Sequence, residues 1–267
     1  VLPAIAQVIS CDEAEQALAM GAKGLIAKGQ ESGGVCGAES AFVLLQRVLP
    51  LANAKQIPIW CQGGMSLNTA VAAMVAGAAG VVIDAILSVF PESNFSAELK
   101  QRLLALDGSE VRLLAGFHVL APKGSAAIEL NRSEVLEQLC DQRLLAVGQD
   151  AALARLALNQ CASVASLIRA LRTRMQAALI QAQSLQPLAD GNAWARAHGT
   201  RYGIAQGPMT RVSDTAPFAA AVAEAGALPF IALSLMSAQS SRTLLEETKA
   251  ALGDKPWGVG VLGFAEA

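Results

Sequence analysis

Aromatic side chains are scarce in this chain, 4% of its 267 residues, so Ala, Val and Leu must build whatever core it has. With 53% hydrophobic and 16% charged residues, a large core is feasible, as one domain or as a domain with a substantial appendage. Cysteine is equally thin: Cys11, Cys36, Cys61, Cys140 and Cys161 are scattered, form no CxxC pair and indicate neither a zinc site nor a disulfide framework. Two histidines, His118 and His198, are too few for a metal cluster and fall in no recognised motif. The net charge of −2 comes without a basic block, which argues against a nucleic-acid footprint. No apolar run reaches the roughly 18 residues of a membrane span, and no signal-peptide pattern is present, so a cytoplasmic protein is expected. There is no initiator Met either. Val1-Leu2-Pro3 runs directly into a strand-like segment and WGVGVLGFAEA stops just after another, which reads as a piece of a longer polypeptide.

One pattern recurs three times: an Ala-rich helical stretch, a glycine, then a short apolar strand. The copies are AEQALAMGAKGLIAKG, AVAAMVAGAAGVVIDA and FAAAVAEAGALPFIAL. The glycine suits a left-handed C-cap, and wholly apolar strands alternating with helices indicate a parallel sheet buried on both faces. The pattern predicts strands at 3–9, 24–28, 57–61 and 80–85 with helices at 12–20, 40–54 and 67–76. A second set has strands at 203–206, 229–235 and 257–262 with helices at 214–225 and 240–252. The region 91–200 between them is expected to be a mostly helical linker or appendage, with helices at 133–144 and 162–185 and a strand pair at 111–120 and 126–130. The stretch LIRALRTRMQAALIQAQSL reads as an amphipathic helix packed on the domain.

Ligands of parallel α/β sheets meet the loops at the C-terminal ends of strands, so chemistry is sought at Gly29–Gly37, Gln62–Met65, Asp84–Leu87, Gln206–Met209 and Gly263. Gln62-Gly63-Gly64-Met65 joins a strand to a helix, where free N–H groups and the helix dipole suit an anion. A tight turn needing two glycines is the equal alternative, with Ser66 as a helix cap. Gln206-Gly207-Pro208-Met209 offers a fixed backbone and a polarizable Met for a flat ligand, against an ordinary strand-ending turn. Lys28 reads as a solvated rim lysine or a ligand contact, Cys36 as a buried inert thiol or an activated one, Cys61 as core, and Asp214 as a helix cap near Arg211.

Three of these loops together resemble the nitronate monooxygenase family of FMN-dependent (β/α)8 barrels, which also includes FMN-dependent enoyl reductases. Gln206 to Met209 matches the QGPM-type end of its first strand. Glu31-Ser32-Gly33-Gly34-Val35-Cys36-Gly37 matches the glycine-rich loop after its sixth, and Gln62 to Met65 the Gly-Gly turn that holds the FMN phosphate after its seventh. Stretches such as RYGIAQGPMTRVSD and PESNFSAELKQRLLALDGSE look like the members embedded in polyketide and polyunsaturated fatty acid synthases. The resemblance implies FMN as cofactor, bound by Lys28, Gly33, Gly34, Gln62, Gly63, Gly64, Met65 and Gln206 to Met209. It implies flavin redox on a small-molecule or acyl-carrier-bound substrate and other synthase domains as partners, while the composition points to no metal, nucleic acid or membrane. A non-catalytic barrel module of the synthase is the alternative.

Two features depart from the family pattern. Val35 stands where the family has an acid–base histidine, so no catalytic residue is assigned, and Asp84 places a carboxylate where uncharged phosphate donors are usual. The motifs also arrive out of order, which reads as strands five to eight of one copy (1–90), a linker (91–200) and strands one to three of a second copy (201–267). A circularly permuted, seven-stranded incomplete barrel is therefore expected, with a ladder between 80–85 and 203–206 and a composite FMN site.

Overall fold

The computed structural model describes residues 3–120, 130–141 and 143–261. They divide into two compact units, Val1–Ala178 and Leu179–Ala267.

The first unit opens with β1 (Ile5–Val8), α1 (Cys11–Ala19), β2 (Gly24–Lys28), the two-residue strand β3 (Gly34–Val35), α2 (Ala41–Ala54), β4 (Ile59–Gln62), α3 (Thr69–Val75) and β5 (Gly80–Val82). Strands β1, β2, β4 and β5 form one parallel sheet in that order. Parallel neighbours require a crossover, and each helix supplies one. Ser10 and Ser40 start α1 and α2 by accepting from the N–H groups of Glu13 and Val43. Leu25, Ala27 and Cys61 from the strands pack with Leu44, Leu45 and Val48 of α2, all fully buried. The one large side chain in the middle of this sheet, Trp60, is accommodated by glycines on both neighbouring strands. A Cβ on Gly24 or on Gly80 would lie 2.7 Å from the indole.

After β5 come a 3-10 turn (Ala85–Val89), α4 (Ala97–Leu104), the antiparallel hairpin β6 (Val111–Leu114) and β7 (Phe117–Leu120), α5 (Arg132–Cys140), a second 3-10 turn (Gln149–Leu153), α6 (Ala154–Gln160) and α7 (Val164–Leu185). Ile86, Phe90, Leu103, Ala151, Ala154 and Leu167 make a second core. The expected strand partner at 126–130 lies almost entirely outside the described residues; the hairpin forms instead within 111–120, turning at Ala115-Gly116, both in the left-handed region. Its strand β7 also pairs with β3, so residues of the region expected as an appendage join the glycine-rich loop in a three-stranded sheet.

The second unit holds α8 (Ala193–His198), α9 (Ala216–Glu224), β8 (Phe230–Ala232), α10 (Ala238–Leu252) and β9 (Gly258–Gly260), with β8 and β9 parallel. Thr215 caps α9 and Ser237 caps α10. The strand expected at 203–206 is reduced to a single bridge from Ala205 to Leu228.

The fold class is α/β with parallel strands and intervening helices, an incomplete barrel in which no sheet closes on itself among the described residues. Strand β5 pairs with β4, and the segments 80–85 and 203–206, expected to pair, belong to different units.

Candidate functional site

In the first unit the C-terminal ends of β2, β4 and β5 bring together Lys28, the loop from Gly29 to Gly37, Gln62 to Met65, and Asp84. Gln7 Nε2 donates to Gln62 Oε1, and Gln62 Nε2 donates to Asp84 Oδ2 at 2.7 Å. Asp84 Oδ1 accepts from the Ala85 N–H at 2.7 Å, starting the 3-10 turn. A polar chain thus runs from β1 to β5.

Both glycines of the Gly-Gly turn are required by the backbone, with φ of 106° at Gly63 and 65° at Gly64. The amides that such a turn offers to an anion already have acceptors within the chain. The Gly64 backbone faces the Asp150 carboxyl and lowers its pKa against the larger effect of burial. The first N–H of α2, at Ala41, donates to Glu31 Oε2 at 2.9 Å. The Ser66 N–H donates to Thr69 Oγ1 at 2.7 Å, and that hydroxyl donates to Gly64 O. Ser66 therefore does not cap α3 as expected. The helix begins at Asn68 without a side-chain cap, because Thr69 is held back to the turn.

Asp150 is 4% exposed, and its Oδ1 has no hydrogen-bond partner. Burial first, then the neighbouring Asp84 carboxylate, push its pKa up to about 8. The Asp150 carboxyl therefore holds its proton at neutral pH. Lys28, expected at a solvated rim, is 7% exposed. Burial lowers its pKa, opposed first by Asp84 and then by Cys36 and Asp150. Its last β2 register pair is Gln62, which places it inside the strand-end layer rather than on the loop.

The loop itself is filled by main chain. A Cβ on Gly33 would lie 2.4 Å from Ala146 O, and one on Gly148 would lie 2.2 Å from Glu31 O. The Asp150 N–H donates to Glu31 O at 3.1 Å, the Cys36 N–H to Gly116 O at 3.3 Å, and His118 Nδ1 lies 3.2 Å from Ser32 O. Gly34 (φ 75°) has Lys28 Nζ 3.8 Å from where a Cβ would stand. Val35 is half exposed in β3, opposite Phe117, and no group at that position can move a proton. Burial raises the pKa of the Cys36 thiol, and that of Cys61 to about 11; neither is an activated thiolate. Met65 is core, at 3% exposure.

In the second unit, Gln206 pairs with β8 through its side chain. Its Oε1 accepts from the Phe230 N–H and its Nε2 donates to Phe230 O, both at 3.2 Å. Pro208 packs where a Cβ on Gly260 would lie 2.2 Å from it, Gly207 faces open space, and Met209 is exposed. Asp214 accepts from the Arg211 N–H at 2.9 Å, so it closes the loop rather than capping α9, which Thr215 does. His198 stacks on Trp194 with ring centroids 4.2 Å apart. Gly263 lies outside the described residues.

Glu31, Gly148 and Asp150 were missed as members of the strand-end site. Glu31 lies in the glycine-rich motif, but nothing in the sequence ties Val147-Gly148-Gln149-Asp150 to a loop more than a hundred residues earlier. The site as arranged does not fit a flavin phosphate. Lys28 is set against the carboxyls of Asp84 and Asp150, Glu31 crowds the Gly-Gly turn, and the Ala41 N–H is taken by Glu31. The buried Ser32 Oγ has no hydrogen-bond partner.

No curated protein matches the chain. Among solved structures it is similar to FabK from Thermotoga maritima, at 19% identity and a TM-score of 0.55 over 68% of this chain and 63% of that one. A point mutant of that FabK aligns at 23% identity and a TM-score of 0.57, covering 67% and 60% of the two chains. A nitroalkane oxidase from Streptomyces ansochromogenes aligns at 20% and 0.52, covering 67% and 59%. The chain thus spans about 60% of the length of these structures, and at these identities the likeness is one of fold. The family model for nitronate monooxygenase matches residues 2–178, the unit that carries the glycine-rich loop and the Gly-Gly turn, and on that match the chain belongs to the nitronate monooxygenase family.

Proposed function

We propose that this chain is part of a flavin-dependent oxidoreductase of the nitronate monooxygenase family, with FMN as the flavin, built into a polyketide or polyunsaturated fatty acid synthase. The family match over residues 2–178 carries the reading. It is supported by two glycine-bearing loops standing at the C-terminal ends of adjacent parallel strands, β2 and β4. The QGPM-type loop of the second unit adds to it, as do the flanking stretches that resemble synthase-embedded members.

The flavin, when bound, supplies the redox chemistry: electron transfer between a nitronate and O2, or hydride transfer to an enoyl thioester on an acyl carrier protein. No step is assigned to the first unit, whose turn is filled by its own carboxyls and whose histidine position is Val35. A second reading applies to that unit alone: a structural module of the synthase, favoured by the Asp150 and Glu31 contacts to Gly64 and Ala41.

The longer protein, purified and tested with propionate 3-nitronate plus O2 and, separately, with NAD(P)H plus a crotonyl thioester, should show a visible flavin band and turn over one of the two. A preparation with neither flavin nor turnover would overturn the oxidoreductase reading.

A further inference from the structure

We infer that the segments Val111–Leu120 and Ala146–Asp150 are built-in occupants of the family's cofactor cradle, so that the unit Val1–Ala178 does not take up FMN. The inference rests on the family reading for what the cradle is, but its physical content lies in the contacts.

Each element that would receive a cofactor is met by this chain at the same place. At the glycine-rich loop, absence of side chains serves a backbone crossing. Gly33 lies against Ala146 O and Gly148 against Glu31 O, closer than any Cβ could allow, and the Asp150 N–H closes the crossing on Glu31 O at 3.1 Å. The next two residues, Gly34 and Val35, are paired with His118 and Phe117 of the hairpin. At the Gly-Gly turn, a Cβ on Gly63 would lie 3.2 Å from Glu31 Oε2 and one on Gly64 3.7 Å from Glu31 Cγ, with the Asp150 carboxyl beside the Gly64 backbone. At the α2 N-terminus, Glu31 occupies the Ala41 N–H through both carboxylate oxygens, at 2.9 and 3.3 Å.

Helix starts and glycine turns bind anions because their N–H groups have no partner in the chain. Here the anionic partner is supplied internally. A phosphate entering the turn would sit beside the Glu31 and Asp84 carboxyls, with Lys28 the cation acting on Asp84. The occupying segments are also anchored outside the cradle: Phe117 and Val119 pack with Val135 and Leu144, and Ala151 and Ala154 with Phe90 and Leu103. Displacing them would open two hydrophobic clusters, which makes the occupation a fixed part of the fold.

The test titrates the 267-residue chain with FMN, riboflavin and inorganic phosphate, following flavin fluorescence and amide exchange at Gly33 and Gly64. The wild-type chain should bind none of them saturably up to about 1 mM. The double variant Asp84→Ser/Asp150→Ser removes both carboxyls from the turn. It should gain FMN and phosphate binding by about tenfold or more while gaining none for riboflavin. Saturable FMN binding by the wild type with slowed exchange at Gly64 would overturn the inference. So would a folded double variant that gains nothing. Should the double variant not fold, Gly148→Ala reads the crossing directly: exchange at Gly33 and Gly64 should quicken, and unchanged exchange would refute the contact. A longer protein that carries flavin while this chain stays flavin-free satisfies both the proposed function and this inference. A longer protein without flavin removes the former alone.

Discussion

Gly33 and Gly148 lie backbone against backbone, 115 positions apart in sequence by their numbers, each leaving no room for a Cβ: 2.4 Å to Ala146 O from the first and 2.2 Å to Glu31 O from the second. The pair fixes the glycine-rich loop against the segment that follows the hairpin, and so determines what the strand ends can hold.

Because the obstructing atoms are backbone, neither position can relax by a rotamer change. Gly148→Ala and Gly33→Ala should each cost about 1–3 kcal/mol or more, the range for overpacking a closed site. Gly207→Ala, where nothing stands within 4 Å, should stay within about 0.5 kcal/mol. Urea unfolding of the three variants checks the contrast, which fails if Gly148→Ala is as mild as Gly207→Ala.

The Asp150 carboxyl gives the first unit a distinctive pH dependence. Its folded pKa, pushed up from 3.8 to about 8, means that the folded state holds a proton the unfolded state has released across that interval. The groups facing it are Asp84 and Glu31, with Lys28 acting on it from β2. By linkage its contribution to stability is complete below 3.8 and is lost as pH rises toward about 8. The slope approaches 1.4 kcal/mol per pH unit, about one proton. Unfolding free energy should therefore fall between mildly acidic and mildly alkaline pH, and Asp150→Asn should flatten the fall. A wild-type profile that rises over the same interval would contradict the protonated Asp150.

Lys28 is the cation that holds the Asp84 charge in a buried layer. Lys28→Met should cost about 1 kcal/mol, because Asp84 is half-buried and its oxygens also accept from Gln62 and the Ala85 N–H. Lys28→Met combined with Asp84→Asn should recover part of that loss, since the amide retains an oxygen for the Ala85 N–H. A double-mutant cycle from denaturant melts measures the coupling; a neutral Lys28→Met would mean that the two charges are solvated.

The parallel strands and their helices were legible from local pattern. The Ala-rich helix, glycine and apolar strand each report on themselves, and the observed β2 coincides with its predicted span while α1, α2 and α9 begin and end within two residues of theirs. The members of the strand-end layer drawn from neighbouring loops, Gln62, Gly63 and Gly64, were legible for the same reason. Asp150 and Gly148 were not, because their role depends on a crossing between segments distant in sequence, and a short GQD carries no periodicity to announce it. Lys28 was misread for a related reason: a lysine ending a strand is solvated by default, and what buries it is the later segment. The 203–206 strand failed because its neighbour Gln206 uses its side chain, rather than continued backbone, to pair with Phe230.

The central claim, that this unit's phosphate turn is occupied by its own carboxyl, is tested most directly by the amide resonance of Gly64. Addition of FMN to the wild-type chain should leave that resonance unmoved, while raising the pH through about 8, where Asp150 ionises, should shift it. A saturable shift of the Gly64 amide on FMN addition, with no response to that titration, would contradict the account.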